Sequence, residues 1–152
     1  MRAHQGALRA FLTRLTRNRA AADDLAQIVF IKAFENRHKL RDPATVKSWL
    51  FQIAYRAFID DYRKHSRRRD LAPVEEPNDA PSSDPGLATD IEAAMNSLPN
   101  DCRAVVILCL SQGMTHSEAA SITGLPLGTV KSHVTRGKAK LRAFLFAYET
   151  TR

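Results

Sequence analysis

The apolar positions of this chain recur at three- and four-residue spacing, and the elements they predict are helices. Residues 4–17 carry Ala7, Leu8, Phe11, Leu12 and Leu15 as one stripe, and Asn18 and Arg19 break it. A second helix is expected from about Ala20, with Asp23 and Asp24 in its first turn, where acids complement the helix dipole. Leu25, Ile28, Val29, Ile31 and Phe34 make it apolar on most sides. Such a helix needs neighbours on two faces, or keeps one face for a partner. Residues 36–45, NRHKLRDPAT, read as a loop broken at Asp42-Pro43, with Thr45 placed to cap the next helix. That third helix runs over about 46–67. Its expected buried stripe is Trp49, Leu50, Ile53, Ala57 and Phe58 or Tyr62. It ends in Arg67-Arg68-Arg69, which suits a helix C-terminus and also phosphate.

The second half reopens with a short helix, Thr89 to Ser97. Another starts at Pro99 or Asp101 and runs to about Ser111, with Ala104, Val105, Ile107, Leu108 and Cys109 inward. The stretch from Met114 to Leu141 then reads as two helices joined by a tight turn. Thr115 and Glu118 make a capping box for the first. Ala119 and Ala120 are small enough for a close neighbour. Gly124 supplies the positive φ of a sharp stop, Leu125 plugs the turn, and Pro126 presets the next helix. In that helix Val130, Val134, Gly137 and Leu141 share one face. Thr129, Lys131, Ser132, Thr135, Arg136 and Lys138 lie opposite, with no acid among them. This is a helix-turn-helix whose second helix suits a DNA major groove. The same pattern also describes an amphipathic hairpin with a solvated basic face. The specific turn chemistry and the missing acids favour the DNA reading. The last helix is expected to run to about Ala147.

Charge sharpens the division. The chain has 152 residues, a net charge of +7 and 44% apolar residues. A basic balance points to a polyanionic partner, nucleic acid before membrane. Residues 1–69 hold 16 Lys and Arg against 6 acids, residues 70–96 hold 7 acids and no Lys or Arg, and residues 97–152 hold 7 Lys and Arg against 3 acids. Residues 70–88, with four prolines, read as a flexible acidic linker. The expected fold class is therefore all-α: two small helical domains, 1–69 and 89–152, on a tether. Cys102 and Cys109 stand about 10 Å apart along one helix, too far for a disulfide, and read as buried thiols of a reducing cytoplasm. No apolar run reaches the length of a membrane span. The basic N-terminal segment has transit-like or membrane-surface character, but Leu8, Leu12 and Leu15 suit a docked helix.

Catalytic patterns are lacking: there is no Gly-rich phosphate loop and no nucleophile elbow. The five histidines read as surface residues, of which His133 could touch DNA. Adjacent acids, Asp23-Asp24 and Asp60-Asp61, diverge on a helix and cannot share a site unaided. An enzyme is not expected, and no cofactor is implied. The aromatics of the third helix have two readings. Trp49 and Phe58 suit core packing, whereas Phe51 and Tyr55 divide evenly between the core and stacking on single-stranded bases.

These residues, taken in order, resemble the extracytoplasmic-function sigma factors of the sigma-70 family. The carriers are Asp24-Leu25-Ala26-Gln27 with Val29-Phe30 and Ala33-Phe34; Trp49-Leu50 with Ile53-Ala54 and Ile59-Asp60; Leu98-Pro99; and Gly128-Thr129-Val130-Lys131-Ser132. The resemblance implies a region 2-like three-helix domain (1–69) and a region 4-like domain (89–152). Asp24, Gln27, Phe30 and Ile31 would then bind the β′ clamp of core RNA polymerase. Lys47, Trp49, Phe51, Gln52, Tyr55, Arg56 and Arg63 would capture and melt the −10 element. Thr129, Lys131, Ser132, His133, Thr135, Arg136 and Lys138 would engage the −35 element, Lys138 through phosphate. The acidic linker would thread the basic channel of the polymerase.

Two positions depart from the family pattern: Ile28 stands where an acid is usual, and Arg56 where Asn is usual. The partners implied are core polymerase and promoter DNA, with an anti-sigma factor as a further candidate, for a cytoplasmic chain that is monomeric when free and not inserted in a membrane. Two rivals stay open: a sigma-like mimic that binds an anti-sigma factor, and a stand-alone helix-turn-helix regulator.

Overall fold

A computed structural model describes residues 2–71 and 87–150, and apart from short connections these are helical. The helices are α1 (Gln5–Thr16), α2 (Arg19–Glu35), α3 (Val46–Leu71), α4 (Leu87–Asn96), α5 (Asn100–Val106), α6 (His116–Thr123) and α7 (Leu127–Thr150). They fall into two compact units, Met1–Ala80 and Pro81–Arg152. The predicted linker loses two residues at each end to α3 and α4; residues 72–86 lie outside the described residues.

In the first unit α1 buries Leu8, Phe11, Leu12 and Leu15, and α2 buries Ala22, Leu25, Ala26, Val29 and Ala33. The small α2 residues let three helices approach closely, and removing these side chains from water is the main stabilising term. The chain turns between α1 and α2 at Arg17, whose φ of 55° is left-handed, and whose N–H returns to the Thr13 carbonyl. The Asn18 side chain then accepts the Ala21 N–H at 3.2 Å and starts α2 at Arg19. Asp23 and Asp24 consequently stand in the second turn, not the first, where the helix dipole is weaker. Asp23 reaches Arg9 at 4.0 Å, an exposed pair that contributes little. Ahead of α3, Asp42 caps a short 3-10 turn, Pro43–Thr45, that leads into the helix. The Asp42 carboxylate accepts the Ala44 N–H at 3.0 Å, and the Thr45 hydroxyl donates back to the Asp42 carbonyl at 2.8 Å.

The second unit packs Leu98, Cys102 and Val106 together with Met95 and Leu141. Arg103, fully buried, donates to the Leu98 carbonyl at 3.3 Å and to the Asn100 side chain at 2.6 Å, pinning the turn between α4 and α5. Past α5 the helix widens into a π-type turn over Ile107–Ser111, with the Gln112 N–H bonded to the Ile107 carbonyl at 3.0 Å. The capping box of α6 is formed: the Thr115 hydroxyl accepts the Glu118 N–H at 3.0 Å, and Glu118 accepts the Thr115 N–H at 3.2 Å. Gly124 ends α6 at φ 75°. Gly137 lets α7 lie directly on α5, because a Cβ there would collide with the Val106 side chain.

Candidate nucleic-acid interface

Three surfaces carry the candidate residues. The first is the outer face of α2. Its inward residues recur at 22, 25–26, 29 and 33, so the helical repeat turns Asp24, Gln27, Ile28, Ile31 and Phe34 outward. Ile31 and Phe34 are 58% and 60% exposed and Ile28 42%, an apolar stripe that no internal neighbour covers among the described residues. Phe30 stands half-buried at its edge. Phe34 is an addition to the expected set, and Ile28 joins the surface rather than leaving a gap in it. The 28, 31 and 34–35 spacing was the signal available for both. Phe34 is also held in place: the Arg37 guanidinium stacks 4.1 Å from its ring centre and donates to its carbonyl at 2.7 Å.

The second surface is α3 with the loop before it. Here the expected stacking set divides. Phe51 is fully buried with its ring 5.1 Å from that of Phe11, and Tyr55 is nearly buried. Both belong to the core, because α1 and α2 pack on α3 and bury Leu50, Phe51, Ala54, Tyr55, Ala57 and Phe58. They are removed from the nucleic-acid candidates. Tyr62, an alternative for the buried stripe, is exposed. What remains is coherent. Trp49, Gln52, Arg56 and Arg63 fall within about 60° of one another around the helix axis. Trp49 and Gln52 are half-buried and the two arginines exposed. Arg67 continues the same line and is exposed. Lys47, half-buried, lies off this face. An indole at one end and a row of guanidiniums leading away from it can stack a base and hold successive phosphates.

The third surface is the exposed side of α7. Val130, Val134 and Gly137 are buried, and Lys131, Ser132, Thr135, Arg136 and Lys138 are exposed, with Thr129 half-buried. The Ser132 hydroxyl donates to the Gly128 carbonyl at 3.1 Å and the Thr135 hydroxyl to the Lys131 carbonyl at 3.0 Å. Both protons are thus engaged inside the helix, which leaves oxygen lone pairs facing outward to accept from base amino groups. Lys131 and Arg136 add exposed hydrogen-bond donors to the same face. Lys140, exposed two residues beyond Lys138, extends the basic face. His133 does not belong to this set. It is only 8% exposed, turned toward α5, with its Nε2 3.5 Å from an Asp101 carboxylate oxygen. The surface reading of that histidine is corrected: position 133 lies on the flank of the buried stripe.

The two thiols match the expectation of burial in part. Cys102 is buried and Cys109 half-buried, and both are free. Burial is the main reason each thiol is pushed above its usual range; Asp101 adds to the effect at Cys102 and Glu118 at Cys109. Among the described residues no group of three or more His, Cys, Asp or Glu is placed to hold a metal ion. No helix among them is long and apolar enough to cross a membrane.

Residues 1–68 match the family described as Sigma-70 region 2, and residues 88–141 match Sigma-70, region 4. The chain is 34% identical over 154 residues to the ECF RNA polymerase sigma factor SigE of Mycolicibacterium smegmatis, covering 95% of this chain and 60% of that one. It is 36% identical over 148 residues to the ECF RNA polymerase sigma factor EcfG of Rhodopseudomonas palustris, covering 91% and 79%. Among solved structures it resembles the sigma factor RpoE of Bartonella quintana, crystallised with the anti-sigma factor NepR. That likeness has a TM-score of 0.78 and 32% identity, over 93% of this chain and 91% of the other.

Proposed function

The chain belongs to the extracytoplasmic-function branch of the sigma-70 family, and from that premise we propose that it binds core RNA polymerase and directs promoter-specific initiation of transcription. The observation that carries this reading is the pairing, in one chain, of an uncovered apolar helix face on α2 with an acid-free basic helix face on α7. An exposed apolar stripe is what a protein partner needs, and a basic face of short polar side chains is what a major groove needs.

In this reading residues 1–69 form the core- and −10-binding domain, and residues 89–152 form the −35-binding domain. Asp24, Gln27, Ile28, Ile31 and Phe34 dock on the polymerase clamp, mainly by apolar burial. Trp49, Gln52, Arg56 and Arg63 receive the −10 region: the indole offers a stacking face for an unpaired base and the arginines hold phosphates. Arg56 in place of the usual Asn shifts this contact from base reading toward phosphate. Lys131, Ser132, Thr135 and Arg136 read the −35 element, while Thr129, Lys138 and Lys140 hold its backbone. Two modest grips on one tether make the second contact intramolecular, so neither domain has to bind tightly alone. The protein performs no reaction of its own in this scheme and works in the cytoplasm, where polymerase and DNA are. An anti-sigma factor is a further partner, supported by the Bartonella quintana complex.

Run-off transcription from a library of templates with randomised upstream sequence tests the proposal. Purified bacterial core together with this chain should yield discrete transcripts whose templates share paired −35 and −10 elements. A sigma-like mimic would bind an anti-sigma factor yet give no template-dependent product. A stand-alone regulator would bind DNA selectively without core. Either result refutes the proposal.

A further inference from the structure

The junction between α5 and the recognition helix holds a polar contact that the apolar packing around it does not require. The α5 N-terminus meets α7 at His133 by two routes. The Cys102 thiol donates to the His133 backbone carbonyl, 3.6 Å away. The Asp101 carboxylate lies 3.5 Å from the His133 Nε2. Asp101 is itself held, its other oxygen accepting the Cys102 N–H at 2.8 Å. Neither ring nitrogen of His133 has a hydrogen-bond partner among the described residues, and the Asp101 carboxylate stands within ion-pair distance of the ring. The imidazole is 10% exposed and the carboxylate 43%.

We infer that Asp101 and His133 are positioning residues for −35 recognition: they fix the roll of α7 about its axis and thereby set which side chains meet the bases. This inference rests on the assignment of α7 as the reading helix. Apart from the contacts at His133, the seam between α5 and α7 is apolar. Val130 and Val134 pack through short, nearly featureless side chains, and Gly137 presents no side chain at all to Val106. Such a seam sets the distance between α5 and α7 closely, while α4 and α6 also pack on α7 and restrain its roll. The Asp101–His133 contact adds an electrostatic restraint on one flank of that seam. His133 is on the flank next to Arg136, one turn away, and Arg136 and Lys140 both act electrostatically on the Cys102 thiol. The tie therefore sits beside the arginine whose aim matters most. Reading side chains must be held to within roughly 10–20°, so a small added restraint on roll bears directly on base reading.

The test uses the full chain with core polymerase and separates positioning from packing. The −35 sequence selected by the unaltered protein is first established from randomised templates. Each variant is then scored by its discrimination, the affinity for that element relative to single-base changes, each of which costs the unaltered protein on the order of 5- to 150-fold. His133→Leu keeps the volume and the apolar burial but removes the tie, and should lower discrimination at least about fivefold while thermal stability is kept. His133→Gln, which retains a donor toward Asp101, should restore discrimination to within about threefold. Asp101→Asn, a change at a partly exposed site that the fold tolerates, should fall with His133→Leu, and the double variant should be no worse than either. Undiminished discrimination in His133→Leu and Asp101→Asn overturns the inference, as does a loss that tracks thermal stability across all variants. If the unaltered protein selects no upstream element, it is the −35 assignment of α7 that fails, and the two failures remain distinct.

Discussion

Gly137→Ala is the substitution whose outcome the packing most directly decides. Two effects oppose one another. Alanine is favoured over glycine in a helix interior by about 1 kcal/mol. Against this, the added methyl would overlap the Val106 side chain, which is buried and, being β-branched, has no flexible end to swing away. Overpacking of this kind costs about 1–3 kcal/mol. The net expectation is a loss of about 1 kcal/mol in the second unit, equivalent to roughly 4–8 °C in its Tm. Trp49 is the single tryptophan and belongs to the first unit, so its fluorescence transition should not move. Amide hydrogen exchange along α5 and α7 should report the loss, and Trp49 serves as an internal control. Repeating the change in a Val106→Ala background removes the obstacle, and there alanine should be neutral or stabilising. The coupling between the two sites should lie within the roughly 0.5–3 kcal/mol seen for residues in contact. Equal effects in both backgrounds, or a Gly137→Ala protein as stable as the unaltered one, would refute the claim that α7 lies against α5 through this glycine.

Three further outcomes are expected. Ile31→Asp places a charge on the uncovered α2 stripe; co-purification with core polymerase should fall more than tenfold while stability changes by no more than about 0.5 kcal/mol, as for other surface substitutions. Arg136→Ala should weaken binding to the selected −35 element by about 1–3 kcal/mol and relax base preference there, whereas Lys138→Ala should weaken all sequences alike and reduce the slope of log affinity against log salt by about 1. Because burial raises both thiols in the folded state, the folded chain keeps protons that the unfolded chain releases above about pH 8.5. Stability should therefore be unaffected by these groups below that pH and decline above it, a trend that Cys102→Ala should reduce in urea titrations at successive pH values.

The parts legible in the sequence were those set by neighbours within a turn or two. The Thr115–Glu118 capping box and the Gly124 stop are local arrangements, and both are formed. The amphipathic stripes of α1 and of the first part of α7 were equally readable, because each helix has one clear apolar side. α3 was different. Residues 49–51, 53–55 and 57–58 are apolar around much of its circumference, so periodicity alone could not tell which side met α1. The core accordingly took Phe51 and Tyr55 rather than Trp49 and Tyr62. His133 was misjudged for the opposite reason, since polar side chains are expected outside, yet it is buried beside Asp101; the buried Arg103, which bonds the Leu98 carbonyl and Asn100, had no signal in the pattern at all. The π-type turn over Ile107–Ser111 has no local signature of this kind.

By itself, then, the sequence determined that this protein is helical, where most helices begin and stop, and that a helix with an acid-free basic face lies beyond an acidic stretch. These features come from backbone chemistry that acts between residues close along the chain. Tertiary structure alone decided which apolar surfaces enter the core and which are left for a partner. It turned α2 so that Ile28, Ile31 and Phe34 stay uncovered, gathered Trp49, Gln52, Arg56 and Arg63 on one side of α3, and withdrew His133 from the DNA face to meet Asp101. A helix with two apolar sides has no preferred inside until another helix packs against it.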